Sequence, residues 1–158
     1  MMNIQPTTIL GLDPGVSTGI AIATLWDNTS GTRTLHYNYF SATCTEPEQV
    51  WAYIRPPVDV VIMERFNAQL ISKYGLHTVR IIGGVQALCA EHEIQLVEDT
   101  PQQRKAYLSY ARTKIALPSK HDGNTKHDQR HEVDAMAHVI RYLFVRQLLT
   151  TLQVADDT

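Results

Sequence analysis

A chain of 158 residues and 17.8 kDa, 44% hydrophobic and 19% charged, suits one globular domain around one core and excludes a largely disordered protein. No run of about 18 or more apolar residues occurs, so no transmembrane helix is expected, and the opening Met1-Met2-Asn3-Ile4-Gln5-Pro6 lacks the basic and apolar regions of a signal peptide. The net charge of −2 excludes a strongly basic protein and by itself argues weakly against nucleic acid.

The first segment, Thr8-Ile9-Leu10-Gly11-Leu12-Asp13, is an apolar run that ends on an acid. Pro14 and Gly15 break it, which predicts a strand and a turn. Gly19 to Leu25 predicts the other arm of a hairpin. The cluster Asp27-Asn28-Thr29-Ser30-Gly31 predicts the next turn. Alternation of Leu35, Tyr37 and Tyr39 with His36 and Asn38 predicts a third strand over 34–40, completing an antiparallel meander. Thr45-Glu46-Pro47-Glu48 reads as a helix start, and the helix is expected to reach about Ile54 before Pro56-Pro57.

Asp59-Val60-Val61-Ile62-Met63-Glu64 follows, apolar almost throughout, as expected of a central strand buried on both faces. A long helical stretch, 68–92, is interrupted by Gly75 and by Gly83-Gly84. Ile94 to Glu98 predicts a fifth strand. Thr100-Pro101-Gln102-Gln103 carries an N-cap threonine, proline at the first helical position and a glutamine that suits a capping box. A polar loop over 117–126 and a final helix over 128–149 close the chain. Residues 1–150 thus form one domain and 151–158 a frayed tail. The order β-β-β-α-β-α-β-α-α predicts an α/β fold, a mixed five-stranded sheet with helices on both faces.

The two cysteines, Cys44 and Cys89, make no CxxC pair and read as buried free thiols, which points to a reducing cytoplasm. Charge is segregated. Between Gln102 and Arg130 stand Arg104, Lys105, Arg112, Lys114, Lys120, Lys126 and Arg130, against only Asp122 and Asp128. A basic stripe on a near-neutral protein suits a phosphate-backbone contact, although a solvated loop and helix face would look the same.

Asp13 and Glu64 each end an apolar strand. If those strands are parallel neighbours, both carboxylates emerge at one edge of the sheet, where open α/β sheets bind ligands. In His131-Glu132-Val133-Asp134-Ala135-Met136-Ala137-His138, residues three apart share a helix face. His131 and Asp134 then point together, His138 follows one turn on, and Glu132 points away. Small Ala135 and Ala137 suit close approach to the sheet. Carboxylates gathered at one point repel unless a divalent cation joins them. Mg²⁺ prefers oxygen ligands, and two ions about 3.5–4 Å apart can clamp the attacking and leaving oxygens of a phosphodiester.

Three segments resemble the motifs of the RuvC-type Holliday junction resolvases. They are Gly11-Leu12-Asp13-Pro14-Gly15-Val16-Ser17-Thr18-Gly19, Val61-Ile62-Met63-Glu64-Arg65-Phe66 and His131-Glu132-Val133-Asp134-Ala135-Met136-Ala137. Their order and spacing agree over about 8–145. The resemblance implies a ribonuclease H-like fold, a homodimer, paired symmetric nicks across branched DNA, and Mg²⁺ (or Mn²⁺) held as two ions by Asp13, Glu64, His131 and Asp134. His131 stands where the family's other version has aspartate, and it suits either a ligand or a proton-transfer group.

Phe66 matches an aromatic that helps open the junction, with a buried core side chain as the alternative, and Arg104, Lys105, Lys114 and Lys120 fall where the family has basic DNA contacts. Leu70, Ile71, Tyr74 and Leu76 are candidates for the dimer face, with ordinary intramolecular core as the alternative. The short chain and loosely matching middle imply a divergent relative of phage or bacterial origin, which opens forks and flaps as substrates beside four-way junctions. Other readings stay open. A YqgF-like nuclease acting on RNA shares the Asp-x-Gly opening but not His131-x-x-Asp134. An actin-like or sugar-kinase-like ATPase needs two such domains. A silent junction-binding protein would not need four competent site residues.

Overall fold

The computed structural model describes residues 5–15, 17–54, 58–65, 71–100, 102, 131–146 and 152–154. β1 (Thr7–Asp13), β2 (Ser17–Asp27) and β3 (Arg33–Thr43) form the expected antiparallel meander. The first turn is closed by Thr18, whose hydroxyl donates to the Gly15 carbonyl at 2.6 Å. In the second turn the Asn28 N–H donates to the Thr32 carbonyl at 2.8 Å, while the Asn28 side-chain amide donates to the hydroxyls of Thr32 and Thr34. The turn cluster read from the sequence is therefore a hydrogen-bonded hairpin loop.

β4 (Val58–Glu64) lies parallel to β1, and β5 (Gln95–Asp99) lies parallel to β4. The sheet order is β5-β4-β1-β2-β3-β6, so β1 and β4 are interior strands and β4 is buried as expected. The sixth strand corrects the sequence reading. Residues 151–158 were expected to fray, yet β6 (Leu152–Val154) pairs in parallel with β3, Arg33 opposite Leu152 and Leu35 opposite Val154. An edge strand offers a row of unpaired backbone groups, and pairing with β3 satisfies some of them. Nothing local in Leu152-Gln153-Val154 announces this.

α1 (Pro47–Trp51) starts as the sequence predicts. Pro47 opens the helix, and the Gln49 side-chain oxygen accepts from the backbone N–H groups of Thr45 and Glu46. It ends sooner than expected: Tyr53 and Ile54 bond back to Val50 and Trp51, three residues each, so the chain tightens into turns. α2 (Ile71–Glu91) is broken at Gly75, which has φ 73° and ψ 166°, but runs unbroken through Gly83-Gly84, where an interruption was expected. Its C-terminus turns on Glu93 at φ 54°, with the Ile94 N–H reaching the Cys89 carbonyl. α3 (His131–Val145) is the last helix among the described residues.

Period-two alternation divides the sheet into two faces. Leu10, Leu12, Ile20, Val61 and Met63 pack against α1 and α2 through Val50, Ile54, Ile81, Ile82 and Val85. Ile9, Ala21, Ala23, Leu25, Val60 and Ile62 pack against α3 through Val133, Met136, Val139, Ile140 and Leu143. Helices thus cover both faces, as expected. Cys44 and Cys89 are buried free thiols, and burial pushes the Cys89 thiol up to about 11. Among the described residues no helix is long and apolar enough to cross a membrane.

Candidate active site

The odd-numbered residues of β1, Ile9 and Gly11, face α3, and the same phase carries Asp13 to that side. On β4 the phase runs Val60, Ile62, Glu64, and on β5 it runs Gln95, Val97, Asp99. Three adjacent parallel strands therefore end in acids on one face. Glu64 pairs with Asp99 in the β4–β5 ladder, and Glu64 lies one step past the Leu12–Met63 pair, alongside Asp13.

α3 lies flat on this face because two glycines let it. A Cβ on Gly19 would stand 2.1 Å from the His131 carbonyl oxygen, and a Cβ on Gly11 would stand 2.3 Å from that of Ala135. Both distances are far inside van der Waals contact, so only glycine fits at either place. Ala135 and Ala137 are buried as expected, but the space for close approach is made on the strand side. Gly19 is also the cross-strand partner of Asp13. The start of α3 is thus pressed down beside the Asp13 carboxylate, and His131 Nδ1 donates to Asp13 Oδ2 at 2.6 Å. The N-terminal end of a helix carries partial positive charge, which favours Asp13 and the first-turn acid Asp134 there.

Asp134, one turn along from His131, is buried at 3% exposure on the packed face of α3. Glu64 is half-buried. The structure therefore joins Asp13 to His131 directly, sets Glu64 beside Asp13 in the sheet, and holds Asp134 on the same helix face as His131. Glu132 points elsewhere, as expected: Ser41 of β3 donates to its carboxylate. Among the described residues, no three His, Cys, Asp or Glu side chains stand together closely enough to hold a metal ion.

The sequence reading missed a second polar group on the same helix. Asp99, His138 and Arg141 meet under α3. His138 Nδ1 donates to Asp99 Oδ2 at 3.0 Å, and an Arg141 guanidinium N–H donates to Asp99 Oδ1. The fifth strand runs one residue past the expected Glu98, and His138 is not among the four expected site residues. The signal was present in two periodicities, 95-97-99 on the strand and 131-134-138-141 on the helix, but their meeting depends on β5 lying within reach of α3. Phe66, Arg104, Lys105, Lys114 and Lys120 lie outside the described residues, as do Leu70 and the side chains of Ile71 and Tyr74. Leu76 is exposed.

The architecture resembles that of solved resolvases along nearly its whole length. A structure of Thermus thermophilus RuvC superposes with a TM-score of 0.60 at 16% identity, covering 92% of this chain and 98% of that one. The fold is that of RuvC. The same bacterium's RuvC in complex with a Holliday junction substrate gives 0.56 at 17% identity, covering 91% and 98%. The yeast mitochondrial Holliday junction resolvase Ydc2 gives 0.57 at 14% identity, covering 94% and 83%. No family model matches the sequence, and no curated protein matches it. The RuvC fold explains the mixed sheet with a parallel β4-β1 pair and confirms the ribonuclease H-like class expected from the three motifs.

Proposed function

We propose that the chain is a structure-specific endodeoxyribonuclease that nicks branched DNA by metal-assisted phosphodiester hydrolysis. The observation that carries this reading is the placement of Asp13, Glu64, His131 and Asp134 on one face, where the ends of β1 and β4 meet the start of α3, in a RuvC fold. Carboxylates carried to one end of the sheet and partly withdrawn from water are costly unless a cation compensates them, and three carboxylates with one imidazole suit a hard divalent ion that keeps several waters. Asp13, Glu64 and Asp134 would hold Mg²⁺ or Mn²⁺, which would supply charge neutralisation for the phosphodiester and a more acidic bound water, with His131 as a further ligand or, instead, as the proton-transfer group.

The protein's own side chains have separable tasks. Asp13 and Glu64 fix the anionic floor of the site from two neighbouring strands, and Asp134 closes it from the helix. His131 is the group best suited to move a proton. Its Nδ1–H is engaged by Asp13, which fixes the orientation of the ring. The basic residues of 104–130, Arg104, Lys105, Lys114 and Lys120 among them, supply the phosphate contacts in this reading, and Phe66 supplies a stacking face against unpaired bases. A homodimer, with Leu76 near its interface, would place two such sites for paired nicks.

The test is cleavage of labelled four-way junction, fork and linear duplex in Mg²⁺, wild type beside Asp13→Asn. Paired symmetric nicks in the junction that vanish in the variant are the expected result. Preference for forks or flaps keeps the site and changes the substrate. Absence of DNA cleavage by both proteins refutes the nuclease reading on DNA and directs the assay to RNA.

A further inference from the structure

We propose that Asp99, His138 and Arg141 form a buried strut that sets the position of α3 against β4 and β5, and so positions Glu64 and Asp134 for metal. This rests on the reading of the site as a divalent-cation centre. Asp99 and His138 are 1% and 0% exposed, and the Asp99 carboxylate is held from α3 on both oxygens, by His138 Nδ1–H at 3.0 Å and by Arg141.

The backbone of Asp99 is tied just as closely to the site. Asp99 is the ladder partner of Glu64, and its carbonyl accepts the N–H of Arg65, the residue after Glu64, at 2.6 Å. His138 lies four residues from Asp134, roughly 6 Å along the helix axis, and neighbouring strands lie about 4.8 Å apart. The strut thus joins a point one strand away from Glu64 to a point one turn away from Asp134. On the other side of α3, the glycines of β1 and β2 allow close backbone approach but give no directional bond. Apolar contact lets a helix slide or roll slightly, whereas a carboxylate gripped by an imidazole and a guanidinium tolerates one geometry. Stability alone gives little reason to bury such a group, because a well-packed apolar replacement is often at least as stable.

Two sets of variants of the full chain test this, with Mn²⁺ binding to the DNA-free protein measured by calorimetry. The first set is the apolar triple replacement Asp99→Leu, His138→Met, Arg141→Met, which leaves no unpaired buried charge. It is expected to bind Mn²⁺ about 10–100-fold more weakly, the size found when groups behind metal ligands are removed. Its kcat on a four-way junction should fall by a similar factor, with metal-free junction affinity unchanged. Unchanged Mn²⁺ affinity in the folded triple variant overturns the strut and leaves the site reading intact.

The second set keeps the test decisive if the triple variant does not fold. His138→Asn retains a donor near the Nδ1 position and should bind Mn²⁺ like wild type, while His138→Leu should bind it several-fold more weakly. Equal affinities for the two overturn the proposal. A separate control, Asp13→Asn, reports on the site itself: if it binds Mn²⁺ as tightly as wild type, the cation-centre reading fails and the strut proposal falls with it.

Discussion

Two aspartate–histidine pairs hang from one face of α3, seven residues apart, and they differ mainly in burial. His131 reaches Asp13 at the end of β1 with side chains 28% and 12% exposed. His138 reaches Asp99 at the end of β5 with side chains 0% and 1% exposed. Both acids close a strand whose preceding residues alternate in the same phase, and both histidines donate through Nδ1. The first pair sits at the helix start, partly open to solvent. The second is sealed by the sheet and completed by Arg141. In the proposed reading the same chemistry therefore serves a reacting centre at the rim and a fixed anchor about two turns deeper, and solvent access makes the difference.

The largest effect that would separate the pairs is on cleavage. Asp13→Asn should lower the cleavage rate by at least about a thousandfold, since one oxygen ligand becomes a poor one while the fold keeps its hydrogen bond to His131. Single-turnover assays measure it; residual activity above a tenth of wild type would remove Asp13 from the centre. Gly19→Ala is next. Its Cβ has no room beneath the His131 carbonyl, so α3 must lift at its N-terminus. We expect a loss of about 1–3 kcal/mol in stability, and a drop of roughly a hundredfold in cleavage from a displacement near 1 Å. Wild-type activity in this variant would mean that the close approach is not what places His131.

Stability sharpens the comparison from the other side. Removing one partner of a sealed ion group leaves an uncompensated charge, so Asp99→Ala should cost about 3–5 kcal/mol in urea unfolding. His131→Ala, at a half-buried pair, should cost about 1 kcal/mol or less. Equal losses would erase the contrast between rim and anchor. The smallest expected effect lies outside both pairs. Glu93 holds a left-handed conformation at the end of α2 that glycine adopts without strain, and Glu93→Gly should raise stability by roughly 0.5–1 kcal/mol with cleavage unchanged.

Most acids of the candidate site were legible as strand-end or helix-face residues because those signals are local. Asp13 and Glu64 each end an apolar run, and the helical spacing of His131 and Asp134 is visible without a structure. The strand order along the chain, the capping of α1 and the buried thiols follow from equally short-range rules. Asp99 was harder to see because the expected strand stopped one residue early. His138 resembles any polar residue on a packed helix until its strand partner is known.

What the sequence alone determined is the set of elements, their faces, and which acids stand at strand ends, because alternation and helical period are properties of a few consecutive residues. Only the tertiary structure decided that β4 lies beside β1 and β5 beside β4, that α3 rests on Gly11 and Gly19, and that Leu152–Val154 joins the edge of β3. These depend on which segments of a long chain meet. A backbone ladder satisfies any pair of extended segments, and a missing Cβ matters only when another backbone arrives above it.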